Sequence, residues 1–180
     1  MDIDLSDSER ERYSARIDRD ELGVEGQARL RVARAIVIGA GRSGATAAGM
    51  LASSGVGYVA VVDGATVALA DLGSQLLQYT PDVGSNKAES LAAKLGVLNP
   101  LVQVESYPVP VDDANAAAII DGHDVALDCT GDPATWAALE TACADRPVVL
   151  MQASAGVAAG VAVAEQALDA LAAQSAEVRA

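Results

Sequence analysis

A glycine-rich turn between two apolar segments constrains the fold of this chain more than any other feature. The apolar run Ala35–Ile38 leads into Gly39, Gly41 and Gly44, which form the pattern G-x-G-x-x-G before an Ala-rich segment. Asp63 closes the next apolar run, 24 positions after Gly39. In Rossmann-like domains such glycines let the backbone approach phosphate, the helix that follows offers free N–H groups, and the acid accepts from ribose hydroxyls. The pattern therefore predicts a nucleotide site, and the lack of G-K-[ST] excludes a Walker-type P-loop.

Short apolar runs alternate with helical periodicity through the rest of the chain. Strands are predicted at 35–38, 58–62, 102–107, 125–129 and 148–152, and helices at 43–54, 85–98, 112–120, 133–144 and from 160 onward. Alternation of this kind indicates an α/β fold, a doubly wound, mostly parallel, Rossmann-like sheet. Polar residues 1–33 are expected to form an N-terminal helical extension, and residues 34–180 the nucleotide-binding domain, within a single domain overall.

Charge and composition exclude several classes of function. The net charge is -13, and residues 45–180 hold 4 basic side chains against 16 acids, so we expect no face for nucleic acid. The sequence contains no window of 18 consecutive apolar residues, so no membrane span is predicted, and the acidic start does not resemble a signal peptide. Cys129 and Cys143 lack C-x-x-C spacing, which favours reduced thiols, a cytoplasmic location and no structural zinc.

Seven stretches of the chain carry a more specific signal. They are Glu11–Ser14, Glu21–Gln27, Ile36–Gly44, Gly57–Gly64, Asp82–Gly84 with Lys87–Glu89, Leu98–Pro100 and Leu127–Thr130. In this order they resemble consecutive signatures of the ThiF/MoeB/HesA family of ubiquitin-activating-like adenylyltransferases. The resemblance implies that ATP lies over the glycine turn. It further implies that the terminal carboxylate of a ubiquitin-like carrier protein, or of a peptide, attacks the α-phosphate and releases pyrophosphate.

The resemblance also assigns roles to single residues. It implies that Gly39, Gly41 and Gly44 lie at the phosphates of ATP, Asp63 at the ribose and Lys87 along the phosphate chain. Mg²⁺ is a further candidate ligand, and a homodimer or heterodimer is expected.

Residues around these positions allow more than one interpretation. Asp128 and Thr130 are expected to line the site at the carboxyl end of a strand. Arg42, inside the glycine turn, either donates to phosphate or points to solvent or to an acid. Cys129 is interpreted as a small buried filler, and His123 as a surface or capping residue.

Three family positions carry different residues in this chain. Ser74 stands in Asp71–Gln75 where the resemblance places an Arg that neutralises polyphosphate, and Gly131 stands where it places a magnesium-binding Asp. Asp132 either replaces that carboxylate or caps the next helix. Ala15 stands where the resemblance places the second Arg of R-Y-x-R, which would enter a partner's site, and Arg16 is the candidate substitute. Losing one such charged group typically costs about 10²- to 10³-fold in rate, so impaired catalysis is expected.

Three functions remain open at this point. The chain is an adenylyltransferase of the activating-enzyme type, or a non-catalytic scaffold or regulatory half of a dimeric activating complex. The glycine pattern and Asp63 alone would also permit an NAD-dependent oxidoreductase, although the chain has no Tyr-x-x-x-Lys.

Overall fold

The sheet of this protein has five strands, seen in a computed structural model that describes residues 4–18 and 22–174. Glu21, within one family-like stretch, and residues 175–180, at the end of the predicted C-terminal helix, lie outside the described residues. The strands are β1 (Arg34–Ile38), β2 (Tyr58–Val62), β3 (Gln103–Tyr107), β4 (Val125–Asp128) and β5 (Val149–Gln152). The helices are α1 (Asp7–Arg12), α2 (Ser14–Ile17), α3 (Gly23–Val32), α4 (Arg42–Ser53), α5 (Lys87–Leu98), α6 (Ala116–Ile120), α7 (Pro133–Cys143) and α8 (Val157–Ala173).

The strand order places a switch in the direction of winding beside β1. The order is β3-β2-β1-β4-β5, and every strand pair is parallel. Ile38 at the end of β1 pairs with Val62 of β2 and with Asp128 of β4. Open sheets of this type bind ligands outside the carboxyl ends of the strands at the switch point. The predicted doubly wound fold is confirmed, and the described sheet is wholly parallel.

Alternating side chains divide the core into two layers. Val37, Val61 and Leu127 belong to the layer that contains α4, α5 and α8, whereas Ile36 and Ala60 belong to the layer that contains α6 and α7. Strands buried on both faces read as continuous apolar runs, which is why the sequence locates them. The first layer is Ala-rich, and its small side chains let α8 lie close against α4.

The described part of the N-terminal extension is joined to the domain by buried polar contacts. The side-chain amide of Asn99 donates to the hydroxyl of buried Tyr13 (2.9 Å) and to the carbonyl of Ala52 (2.7 Å). The Gln27 amide donates to the carbonyl of Ser54 (2.9 Å). Because a buried polar group without a partner costs about 1–3 kcal/mol, these contacts fix the extension against the end of α4.

Local side-chain hydrogen bonds shorten two predicted helices. Asn86 accepts the amides of Ala88 (2.8 Å) and Glu89 (3.1 Å) and so caps α5 at its start. Asp112 accepts two amides in the turn that precedes α6, an alternative to helix that delays α6 until Ala116. Between β2 and α5 the chain also forms two short 3-10 helices that were not predicted, Leu69–Gly73 and Thr80–Asp82. Among the described helices, none is long and apolar enough to cross a membrane.

Two glycines of α4 give a test of this packing. A Cβ atom on Gly44 would overlap the carbonyl oxygen of Gly39, whereas a Cβ on Gly49 would meet only Leu77 Cδ1, at 3.5 Å. We expect Gly44→Ala to lower the free energy of unfolding by about 3 kcal/mol, because the start of α4 must move away from the backbone of Gly39. Gly49→Ala should raise it by about 0.5–1 kcal/mol through helix propensity. Urea denaturation measures both values, and equal effects would contradict the close contact.

Candidate functional site

A cleft of about 490 Å³ opens at the carboxyl ends of β1, β2 and β4. This volume lies within the range of about 300–1,000 Å³ that is usual for small-molecule sites. The residues that line the cleft are Ile38, Gly39, Gly41, Val62, Asp63, Gly64, Ala65, Val109, Pro110, Val111, Cys129, Thr130, Asp132 and Thr135. The lining therefore includes the predicted site residues Gly39 and Gly41 on the glycine turn and Asp63 after β2, together with Thr130 and Asp132 after β4.

The glycine turn forms one wall of the cleft. Gly39 has a φ of 91°, a backbone angle that residues with a side chain rarely adopt. Its amide donates to the carbonyl of Val62 (2.7 Å). Gly44 lies behind the turn, where its lack of a side chain permits close contact with Gly39. Gly41 differs, because a Cβ there would meet nothing within 4 Å and would project into open space. It is the N-cap of α4 and provides no side-chain acceptor for the first amides of that helix.

Asp63 joins the end of β2 to the glycine turn. One carboxylate oxygen accepts the amide of Ala40 (2.7 Å) and the other accepts the amide of Ala65 (2.8 Å). Each oxygen retains a lone pair for a further donor. The carboxylate is therefore held in a fixed position at the edge of the cleft.

The end of β4 is organised around Asp128, which is fully buried. One of its oxygens accepts the amide (2.9 Å) and the hydroxyl (2.6 Å) of Thr130, and the other accepts the side-chain amide of Gln152 (3.1 Å). Asp128 thus positions Thr130 at the cleft rather than lining the cleft itself. Cys129 between them is buried, and burial, with the neighbouring Asp128 charge, raises the pKa of its thiol to about 12. The buried position of Cys129 agrees with its interpretation as a small filler.

Asp132 caps α7 at the rim of the cleft. It accepts the Thr135 hydroxyl (2.9 Å) and the amides of Thr135 (3.2 Å) and Ala134 (3.3 Å). These hydrogen bonds, that from the Thr135 hydroxyl first, hold the pKa of Asp132 below its usual value. Of the two interpretations left open, the geometry favours the cap. Gly131 has φ 69°, and a Cβ on it would meet nothing within 4 Å.

Lys87 and Ser74 lie near each other but outside the cleft lining. The Lys87 ammonium is 2.9 Å from Asp71 Oδ2, and both side chains are largely buried. Ser74 donates its hydroxyl to the carbonyl of Asp71 (3.3 Å), and the Gln75 amide donates to Asp71 Oδ1 (2.9 Å). The amide of Ala68 has the largest effect on the pKa of Asp71, and together with Lys87 it holds that pKa below its usual value against the opposing effect of burial. Asp71 therefore pairs with Lys87, the cation that the resemblance places along the phosphate chain of ATP.

The two candidate arginines occupy different environments. Arg16 donates to the Ser54 hydroxyl (2.8 Å) and pairs with Glu165 (3.4 Å), so its guanidinium is engaged within the chain. Arg42 is exposed at the first position of α4, next to Gly41. In the ranges 4–18 and 22–174, it takes part in none of the ion pairs.

Sequence reasoning missed the apolar wall of the cleft, which Val109, Pro110 and Val111 form after β3. Prolines directly after a predicted strand were the available signal, because they end a strand at the edge where the site lies. It also missed Asp71, whose ion pair with Lys87 spans a loop that no periodicity describes.

The surface position expected for His123 is wrong. Its ring is buried and tilted at 52° to the Tyr58 ring, with centroids 5.6 Å apart. Only four residues join α6 to β4, and this short connection places the side chain against Tyr58 at the start of β2. Burial holds the pKa of His123 below its usual value. It lines a cavity with Arg34 and Arg146 at the amino ends of the strands, away from the glycine turn. Among the described residues, no group of three or more His, Cys, Asp or Glu side chains is placed to hold a metal ion.

The fold and the cleft together define a class of protein. A parallel sheet of this order, with a glycine turn at the central strand and an acid at the end of the next, is typical of Rossmann-type nucleotide-binding domains. The model of the ThiF family matches residues 13–173, so the chain belongs to the ThiF family.

Activating enzymes and adenylyltransferases from other organisms are similar to most of this chain. The SAMP-activating enzyme E1 of Haloferax volcanii is 41% identical over 143 residues, covering 79% of this chain and 53% of the relative. "Adenylyltransferase and sulfurtransferase uba4" of Pyricularia oryzae is 35% identical over 151 residues, covering 84% of this chain and 31% of the relative. The chain thus spans about a third to a half of the length of these curated relatives.

A solved structure supports the same fold. E. coli tRNA N6-threonylcarbamoyladenosine dehydratase, TcdA, in complex with ATP has a TM-score of 0.75 and 26% identity, covering 84% of this chain and 63% of that one.

The two cysteines give a test of the site's interior. At pH 8 we expect Cys129 to resist alkylation in the folded protein, because a pKa of about 12 leaves about one thiolate in 10⁴. Cys143 is only partly buried, so it should react first. Mass spectrometry after timed iodoacetamide treatment identifies the modified peptide, with a urea-unfolded sample as the control. Modification of Cys129 at the rate of Cys143 would contradict the structure.

Proposed function

We propose that the cleft binds ATP and that the chain is an adenylyltransferase domain acting on the carboxylate of a ubiquitin-like carrier protein or peptide. Membership of the ThiF family supports this proposal, and the relative named as an adenylyltransferase and the ATP complex of TcdA favour ATP over NAD. The single observation that carries it is the open side of Gly41, at the start of an α-helix that lacks a side-chain cap.

The phosphates would lie against the glycine turn. Helix N-termini bind anions because their first N–H groups lack intrahelical partners and carry partial positive charge. Gly41 leaves the approach to these groups clear, and Gly39 and Gly44 hold the turn in shape. Arg42 adjoins this point and would supply a cation.

The adenosine would lie across the opposite half of the cleft. Both Asp63 oxygens are positioned by backbone amides and retain lone pairs that can accept ribose hydroxyls. Val62, Val109 and Val111 provide an apolar surface that suits a flat purine ring. Thr130, held by Asp128, presents the end of β4 to the same space.

Turnover is proposed to be slow. Adenylyl transfer needs fixed positive charge around the phosphates, yet Ser74 is neutral and Gly131 carries no carboxylate for Mg²⁺. Asp132 is occupied as a helix cap. These features favour a second candidate, a scaffold or regulatory half that retains nucleotide while another chain performs the chemistry.

Pairing with another chain is part of the proposal. Large apolar side chains between β2 and α5 are exposed, with Leu69 70% and Leu76 68% accessible. Exposed apolar side chains close together in the chain are typical of surfaces that contact a partner. A second copy or a related chain would cover them.

The open side of Gly41 gives a direct test of nucleotide binding. Gly41→Val should leave the fold intact, because the new side chain enters open space, but should weaken ATP binding at least tenfold by filling the phosphate site. Gly96→Val is the matched control, since Gly96 also has nothing within 4 Å yet lies in α5 away from the cleft lining. Isothermal titration calorimetry with ATP measures both, and equal affinity in the two variants would refute the proposed phosphate position.

The substituted positions give a test of slow turnover. Ser74→Arg combined with Gly131→Asp should raise the rate of carrier-dependent pyrophosphate exchange by about 10²-fold or more, because charge is restored at the reacting phosphates. Asp tolerates the positive φ of Gly131 at a cost of about 1 kcal/mol. The single variants serve as controls for additivity. Fast exchange by the unmodified protein would contradict impaired catalysis.

A further inference from the structure

Lys87 is the only described lysine that adjoins the cleft, and its ammonium group forms an ion pair with Asp71. The Lys87 amide donates to the carbonyl of Ala65 (2.9 Å), and Ala65 lines the cleft. The side chain, however, points to Asp71, 2.9 Å away, and Lys87 is not part of the cleft lining. The backbone of Lys87 is thus at the site while its charge is held beside it.

Few other cations are available to a phosphate group. Beyond residue 45 the described basic residues are Lys87, Lys94 and Arg146. Lys94 pairs with Asp82 (2.7 Å), and Arg146 lines the cavity at the amino ends of the strands. With Ser74 neutral, the pairing of Lys87 with Asp71 decides how much positive potential this side of the cleft offers.

We propose that Asp71 is a specificity-determining residue that competes with the nucleotide phosphates for Lys87. The proposal rests on the proposed function, since it assumes that adenine nucleotides occupy the cleft. While the ion pair holds, the Lys87–Asp71 pair has no net charge. The β- and γ-phosphates then add little to the binding free energy of a nucleotide in the cleft. The site therefore distinguishes poorly between AMP and ATP, or favours the less charged AMP.

The environment of Asp71 indicates that the charge can be removed without unfolding this segment. Asp71 Oδ2 also accepts the amide of Ala68 (2.9 Å), and Asn retains an oxygen for that bond. The Gln75 side-chain amide donates to Asp71 Oδ1 (2.9 Å), while its own oxygen is buried and has no hydrogen-bond partner. A turn of the Gln75 amide by 180° would present that oxygen to the amide of an Asn at position 71. Asp71→Ser, which also keeps an acceptor for the Ala68 amide, provides a second variant.

Calorimetric titration with AMP and with ATP at low ionic strength tests the competition. In Asp71→Asn, and in Asp71→Ser, we expect the Kd for ATP to fall about tenfold and that for AMP about threefold or less, because the freed ammonium acts mainly on the added phosphates. Asp82→Asn is the matched control: it removes the same charge from a similarly buried ion pair in the same segment. Its ATP affinity should stay within about twofold of the unmodified protein.

A double variant separates the role of Lys87 from the general loss of an acid. Asp71→Asn with Lys87→Gln replaces one neutral pair by another, so its ATP affinity should match that of the unmodified protein within about threefold. A tenfold gain in the double variant, or the same gain in Asp82→Asn, would overturn the inference. If the unmodified protein binds both nucleotides and the Asp71 variants do not change the ATP to AMP ratio, the inference alone fails. If no variant binds either nucleotide, the proposed function fails with it.

Discussion

The hydrogen bond from the Ala40 amide to Asp63 holds the glycine turn against the end of β2, and the cleft depends on it. The same turn is fixed from behind, where Gly44 lies too close to Gly39 to carry a side chain. Between these two contacts the backbone of the turn is positioned at the switch point of the sheet. Residues that follow β3 and β4 then close the space around the turn, so the shape of the cleft follows from the backbone.

The charge of the cleft suits an anionic ligand less well than its shape does. Asp63 and Asp132 line the cleft, no Lys or Arg does so among the described residues, and the chain carries a net charge of -13. Lys87, which would offset this, is paired with Asp71. An anionic ligand must therefore be held chiefly by backbone amides and by Arg42. This combination, a well-formed site with little fixed positive charge, fits retention of a nucleotide better than rapid transfer.

The sequence was sufficient for the fold and for the backbone of the site, because both depend on local patterns. Apolar runs buried on both faces located the three central strands, the alternation of strand and helix patterns located the two edge strands, and the glycines located the turn. The sequence left two roles open for Asp132, because a helix cap and a carboxylate that binds Mg²⁺ have the same local sequence. The Lys87–Asp71 pair and the buried position of His123 were beyond reach, since each depends on how distant segments meet. The segment between β2 and α5 has no periodicity and is held by single side-chain contacts such as Lys94 with Asp82.

Hydrogen–deuterium exchange with and without ATP tests the central claim most directly, because it reports on the backbone amides that are proposed to hold the phosphates. The account predicts slower exchange in peptides that contain residues 39–44 and 63–65, with little change at the amino ends of the strands. Unchanged exchange in both segments at saturating ATP, or protection confined to the cavity around His123, would contradict it.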